Sequence, residues 1–292
     1  MKKVRNQHLI GIIFILLAAL GFSLMTFFVK LSGDLPTMQK VFFRNAVAAV
    51  IASVSLFRSK EKFHVQKGSW GWLFLRSFMG FLGIVANFWA IERLGLAGSN
   101  ILNKMSPFFA IIMSYFLLKE RPNRVEWISV LIAFIGAVFV VKPSAGVASL
   151  PAVVGLISGF CAGFAYTCVR KLGIMGERGP VIVFVFSTFS CLCAVPFLIF
   201  DYHPMTWLQL LYLILSGVSA ALGQFSVTAA YTHAPAKEIS VFDYTQVLFA
   251  AALGGIFFGD RPDVYSIIGY IIIIGTAVFR WYYNLHKEEK PS

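Results

Sequence analysis

The chain has 292 residues, of which 58% are apolar and only 13% charged, against roughly 45–50% apolar and about 25% charged in soluble domains. Too few ionised groups remain to cover a soluble surface, so lipid must cover most of it. The net charge of +12 does not mark a nucleic-acid binder, whose Lys and Arg gather on one soluble face or arm; here they sit between long apolar runs.

Crossing a hydrocarbon core of ~30 Å takes about 20 predominantly apolar residues. That ruler predicts ten spans: Leu9 to Val29, Thr37 to Phe57, Trp70 to Ile91, Ala97 to Leu118, Trp127 to Val141, Val153 to Arg170, Pro180 to Phe200, Leu208 to Tyr231, Ile239 to Phe258 and Tyr265 to Tyr283. The first follows a basic segment, as in a signal peptide, but no small-x-small cleavage pattern follows it, and it reads as a retained span. Continuous apolar runs favour helices over the alternating ten-residue strands of a barrel. Cys161, Cys168, Cys191 and Cys193 lie inside apolar runs without ligand spacing, so they indicate neither a disulfide framework nor a metal site.

Seventeen of the 25 basic residues fall in the connections on the side of the termini and five at the opposite ends of the spans, with Arg44, Arg76 and Lys104 inside spans. The positive-inside rule therefore puts both termini in the cytoplasm of a multi-pass inner-membrane protein.

The two halves repeat at an offset of about 140 residues. Leu82-Gly83 matches Leu222-Gly223, Ala90 matches Ala230, Phe109-Ala110 matches Phe249-Ala250, and Glu120-Arg121-Pro122 matches Asp260-Arg261-Pro262. Shared apolar letters alone would mean little, but the acidic-Arg-Pro turn adds weight. Five spans per half is odd, so the second half must enter from the opposite side. The expected architecture is all-α, ten transmembrane helices in two inverted five-helix repeats, residues 8–141 and 153–283. Secondary transporters use this architecture and place the solute site between the halves.

The stretch Ser106 to Pro122, SPFFAIIMSYFLLKERP, the GAVFVVKP ending of span five, and Phe242 to Asp263, FDYTQVLFAAALGGIFFGDRPD, resemble the EamA-type ten-span members of the drug/metabolite transporter superfamily. The likeness runs over both halves. It implies transport of amino acids, nucleobase derivatives, drugs or other metabolites by exchange or proton coupling. Lys104 departs from the pattern, in which that position is apolar or small.

A charge at the centre of a spanning helix costs about 2.5–3.5 kcal/mol on the insertion scale, so those retained are functional candidates. At 1.5 Å per residue, Arg44 and Lys104 share a depth about 10 Å inside the outer end of their spans. Two cations without an acid at their level would repel unless an anion joins them, and a substrate carboxylate or phosphate could do so. The alternative is that they snorkel outward or bond backbone carbonyls and Asn45 or Asn103. On the inner side, Arg76 and Asp243 also share a depth. A buried lone carboxylate favours its neutral form and suits a proton carrier, whereas contact with Arg76 would keep it ionised and suit a gate. A plain helix-start acid is the structural alternative for Asp243.

The expected substrate-binding set is Arg44, Lys104, Asn103, Asn87, Tyr166, Tyr244 and Trp89, with Asp243 and Arg76 for coupling or gating. Gln224 and Gln246 add polar groups inside spans, and Phe22, Phe164 and Phe249 are candidate walls. The acidic-Arg pairs Glu120/Arg121 and Asp260/Arg261 read as solvated turn charges. All five His lie in loops or at span ends, and no HExxH, paired-Asp or phosphate-binding Gly-rich motif occurs, so neither an intramembrane enzyme nor an ATP-driven pump is expected, and no metal or cofactor. The reading is a secondary active exporter or exchanger of small polar metabolites, carboxylate-bearing or amino-acid-like. An organic-cation or drug exporter centred on Asp243 is the alternative. Its partners are the solute, protons and the lipid bilayer, with no nucleic acid.

Overall fold

Backbone N–H and C=O groups in hydrocarbon must pair within the chain, which leaves helices as the means of crossing for these apolar runs. The computed structural model describes residues 2–59, 63–119, 123–141, 149–233 and 240–288, and they are helical apart from short connections. In chain order the α-helices are α1 (Lys2–Leu31), α2 (Thr37–Arg58), α3 (Trp70–Asn103), α4 (Ser106–Leu118), α5 (Arg124–Val141), α6 (Leu150–Ile174), α7 (Gly179–Phe200), α8 (Trp207–His233), α9 (Thr245–Phe258) and α10 (Val264–Glu288), with a 3-10 turn, Ser240–Tyr244, before α9. Among the described residues, seven helices are long and apolar enough to cross a membrane: α1, α2, α3, α6, α7, α8 and α10.

The remaining apolar runs are shorter or broken. The third and fourth expected spans are merged, because α3 runs through Ala97 to Asn103; within it only Gly95, with φ 75° and ψ 174°, leaves the helical region. That left-handed φ suits glycine, and the space where a Cβ would sit is taken by the Asp260 carboxylate, 2.8 Å away. The helix breaks again at Lys104 and Met105, just before Pro107 in the first turn of α4. The ninth span is also interrupted, with Asp243 and Tyr244 in the 3-10 turn and a regular helix only from Thr245.

Packing between the halves is reciprocal. Helix α1 lies along α8, α3 lies along α6, and α2 faces α7. The crossings depend on small residues, as expected where lipid supplies no hydrophobic drive between helices. A Cβ on Gly21 of α1 would sit 2.8 Å from the backbone nitrogen of Gly223 in α8, and one on Gly83 of α3 would sit 3.2 Å from Cβ of Cys161 in α6. Gly83 and Gly223 occupy matching places in the two halves, as do Gly21 and Cys161.

The acidic turns fare differently from a purely solvated reading. Asp260 accepts two hydrogen bonds from Lys30 Nζ, at 2.8 and 2.7 Å, and a third from the Leu96 N–H at 3.1 Å. It therefore ties α1 to the segment that follows Gly95. Glu120, Arg121 and Pro122 lie outside the described residues.

Candidate functional site

A cavity of ≈ 80 Å³ lies among α1, α2, α3, α6, α7, α8 and α9 and is lined by Arg44, Arg76, Asn87, Asn103, Lys104, Tyr166, Gln224 and Gln246, with Phe22, Phe88 and Phe186 as aromatic walls. Six of the nine expected site residues are thus brought together. The volume is well below the roughly 300 Å³ at which small-molecule pockets begin, so this conformation is contracted around the site.

Arg44 and Arg76 come from consecutive helices, α2 and α3, and their long side chains reach the same ring. Both guanidinium carbons lie over the Phe186 ring, at 5.8 Å for Arg44 and 3.7 Å for Arg76. Gly80, one helical turn beyond Arg76, leaves the room: a Cβ there would sit 2.7 Å from the Phe186 ring and 2.8 Å from Arg76 Nη1. Arg44 Nη1 donates to Asn45 Oδ1, and Arg76 Nη2 donates to Gln224 Oε1 at 3.3 Å. Arg44 Nε and Arg76 Nε and Nη1 are buried and have no hydrogen-bond partner among the described residues.

Lys104 differs from expectation. No acid was expected at its level, and Asp243 was expected near Arg76. Instead Lys104 Nζ lies 2.6 Å from Asp243 Oδ2, with both residues buried. The depth comparison treated spans four and nine as regular helices. The turn at Gly95 and the 3-10 geometry, which rises faster per residue than an α-helix, bring the two interruptions face to face. Asp243 itself does not line the cavity, and its Oδ1 is buried without a partner.

Tyr244 is a structural residue of this junction. With the helix broken, the Phe108 N–H bonds Met105 O, and the Lys104 carbonyl accepts the Tyr244 hydroxyl at 3.0 Å. Gln246 Nε2 donates to Asn100 Oδ1 at 2.6 Å, and Ser23 Oγ of α1 donates to the Gln246 carbonyl at 3.0 Å. Asn87 donates to Ser99 Oγ at 3.1 Å and Asn103 to Ser158 Oγ at 3.2 Å, which holds both amides at the wall.

Trp89 lies elsewhere. Two residues along a helix rotate a side chain by about 200°, so Trp89 faces away from Asn87, into an apolar groove with Met38, Leu82, Val85 and Ile157, and stacks under Arg93 at 3.9 Å. Phe88 takes the place expected of Trp89. Phe164 packs on Phe160 and Phe249 is partly exposed, so of the candidate walls Phe22 alone lines the cavity. Phe186 was missed because nothing separates it from the other Phe of a chain with 30. Asn100 was legible as another amide in the run that ends at Lys104. Among the described residues, no three His, Cys, Asp or Glu side chains converge to hold a metal ion.

The model of the EamA-like transporter family matches residues 9–142 and 149–281. The chain is 34% identical over 272 residues to a pseudopaline exporter of Pseudomonas aeruginosa, covering 92% of this chain and 94% of that one. It is 31% identical to an uncharacterized transporter of Helicobacter pylori, covering 98% and 99%. A solved structure with 15% identity and a TM-score of 0.65, covering 96% of this chain and 99% of its own, shares the fold.

Proposed function

This chain belongs to the EamA-like transporter family, and within that family we propose that it exports a carboxylate-bearing small metabolite by alternating access. It is a small-molecule transporter of the membrane, not an enzyme. In the proposed architecture, ten helices form two inverted repeats, residues 8–141 and 153–283, with both termini cytoplasmic. The 140-residue offset, the reciprocal packing of α1 on α8 and α6 on α3, and the matching interruptions at Lys104 and Asp243 support it. Exporter is also the word in the name of the Pseudomonas relative, and it supports the direction.

The observation that carries the substrate class is that Arg44 and Arg76 line the cavity, buried, with nitrogen atoms that no group among the described residues satisfies. Buried charge of this kind needs a partner, and a carboxylate is the planar acceptor that guanidinium groups fit best. Asn103, Asn87 and Tyr166 would orient the rest of the solute. A cation exporter centred on Asp243 has less support, because Asp243 is already paired with Lys104 and lies behind the cavity wall.

Asp243 is proposed as a gate: a cation, Lys104, holds its carboxylate, and the pair parts when the junction of the two interrupted helices opens. The test of the reading is counterflow in proteoliposomes with a charge series of aromatic solutes. Uptake of anionic and zwitterionic members, abolished by Arg44→Gln, is expected; uptake confined to cations would overturn it.

A further inference from the structure

Among the charged residues that line the cavity, all are basic: Arg44, Arg76 and Lys104. Lys104 is matched by Asp243, and Arg44 and Arg76 remain. Their side chains converge on one ring, Phe186, which offers a π-face but no negative charge. The polar groups they do reach, Asn45 and Gln224, are neutral amides. Both arginines are at least nine-tenths buried, and three of their nitrogens have no hydrogen-bond partner among the described residues.

A single carboxylate would compensate one of these charges and leave the other buried and unmatched, which is the costly arrangement. We propose that Arg44 and Arg76 together form a subsite for a dianionic group, either two carboxylates on neighbouring carbons or one phosphate monoester. This rests on the anion-export reading and narrows it. Arg76 contributes more than charge, because its close stacking on Phe186 fixes the guanidinium plane and leaves Nε and Nη1, one donor on each of the two edges that meet at Nη2, for charge-assisted contacts with separate anionic oxygens. Gln224, bonded to Nη2 between those two edges at 3.3 Å, is the positioning residue for that orientation.

The test is binding to the purified full-length protein of phenylacetate, phenylsuccinate, phenyl phosphate and benzylammonium, measured by isothermal titration at two salt concentrations. Phenylsuccinate or phenyl phosphate should bind about ten- to hundredfold more tightly than phenylacetate, the gain of one further charge-assisted contact. The preferred member of the pair identifies the source of the dianion. Arg44→Gln and Arg76→Gln should each bring the dianion down to the level of phenylacetate, whereas Arg76→Lys keeps the charge and should keep part of the preference. A thermal unfolding midpoint within a few degrees of the parent shows that a variant is folded, and the parent's own charge series stands if one is not. Equal binding of mono- and dianions, lost in the double variant, would overturn the dianion subsite and leave the carboxylate reading intact. Preference for benzylammonium, or no binding of any anion, would overturn both.

Discussion

Lys104 Nζ and Asp243 Oδ2 are 2.6 Å apart and buried, where two interrupted helices, one from each half, meet. Lys104 and Tyr244 occupy matching positions at the 140-residue offset, and they also touch, through the Tyr244 hydroxyl and the Lys104 carbonyl. The contact that joins the halves is thus made by residues that the repeat itself relates.

Removing one partner of a buried pair leaves an unmatched charge and typically costs about 3–5 kcal/mol, while removing both costs much less. Lys104→Met and Asp243→Leu should therefore each lower the thermal midpoint strongly, and the double variant should recover most of the loss. A double-mutant cycle on the purified protein measures this. Additive losses would mean that the pair contributes no coupling to stability.

Asp243→Asn is isosteric and removes the charge that holds Lys104. With the gate weakened, solute should leak down its gradient faster from liposomes carrying the variant. A leak equal to the parent's would return Asp243 to a structural part at the junction.

Two glycines separate the site from the scaffold. In Gly80→Ala the nearest atoms that the new Cβ meets are side-chain atoms of Phe186 and Arg76, so the displacement falls on the site's own groups and anion affinity should fall several-fold, with the thermal midpoint falling less than in a clash with backbone. In Gly163→Ala the new Cβ would sit 2.5 Å from the Ser106 carbonyl at the start of α4. Backbone cannot yield so easily, and overpacking typically costs about 1–3 kcal/mol, so here the midpoint should fall further. Binding and unfolding measured side by side check the contrast.

The sequence carries the spans because a bilayer imposes a minimum apolar length, and it carries the repeat because the acidic-Arg-Pro turn recurs with the small residues around it. The cavity was legible where a polar side chain in a span has no bland reason to be there, as for Arg44, Asn87, Asn103 and Lys104. The partner of Lys104 was not legible, because it depends on where two helices break, and a uniform rise per residue places Asp243 too far away. Phe186 was hidden by abundance. Trp89 was a miscount of face, since its neighbour Phe88 points the way the cavity lies. Asp260 looked like one of two turn charges, and its role appears only when Gly95 brings the Leu96 N–H against it.

Asp260 also marks a cluster that ties three helices together at one end of the spans. It receives Lys30 from α1 and the Leu96 N–H that begins a helical segment after Gly95, where a carboxylate also suits the helix dipole. Lys30 further lies 4.5 Å over the Phe258 ring at the end of α9, and Phe27 packs edge-on against Phe257 and Phe258. This cluster lies at the end of the spans opposite the expected side of the termini, the end at which the solute leaves on the export reading. Partial exposure of the pair limits its strength, so the ion pair and the helix-end contact together contribute about 1–2 kcal/mol. That shifts a closed-to-open equilibrium by a factor of about 5–30. Asp260→Asn should therefore speed labelling of a cysteine at Asn103, in a background lacking the four native cysteines, by an impermeant maleimide added from outside, by roughly that factor. Lys30→Gln should act in the same direction and the double variant should add little, because both remove one contact. Unchanged labelling in both single variants would show that the cluster is passive packing and that the outer end opens elsewhere.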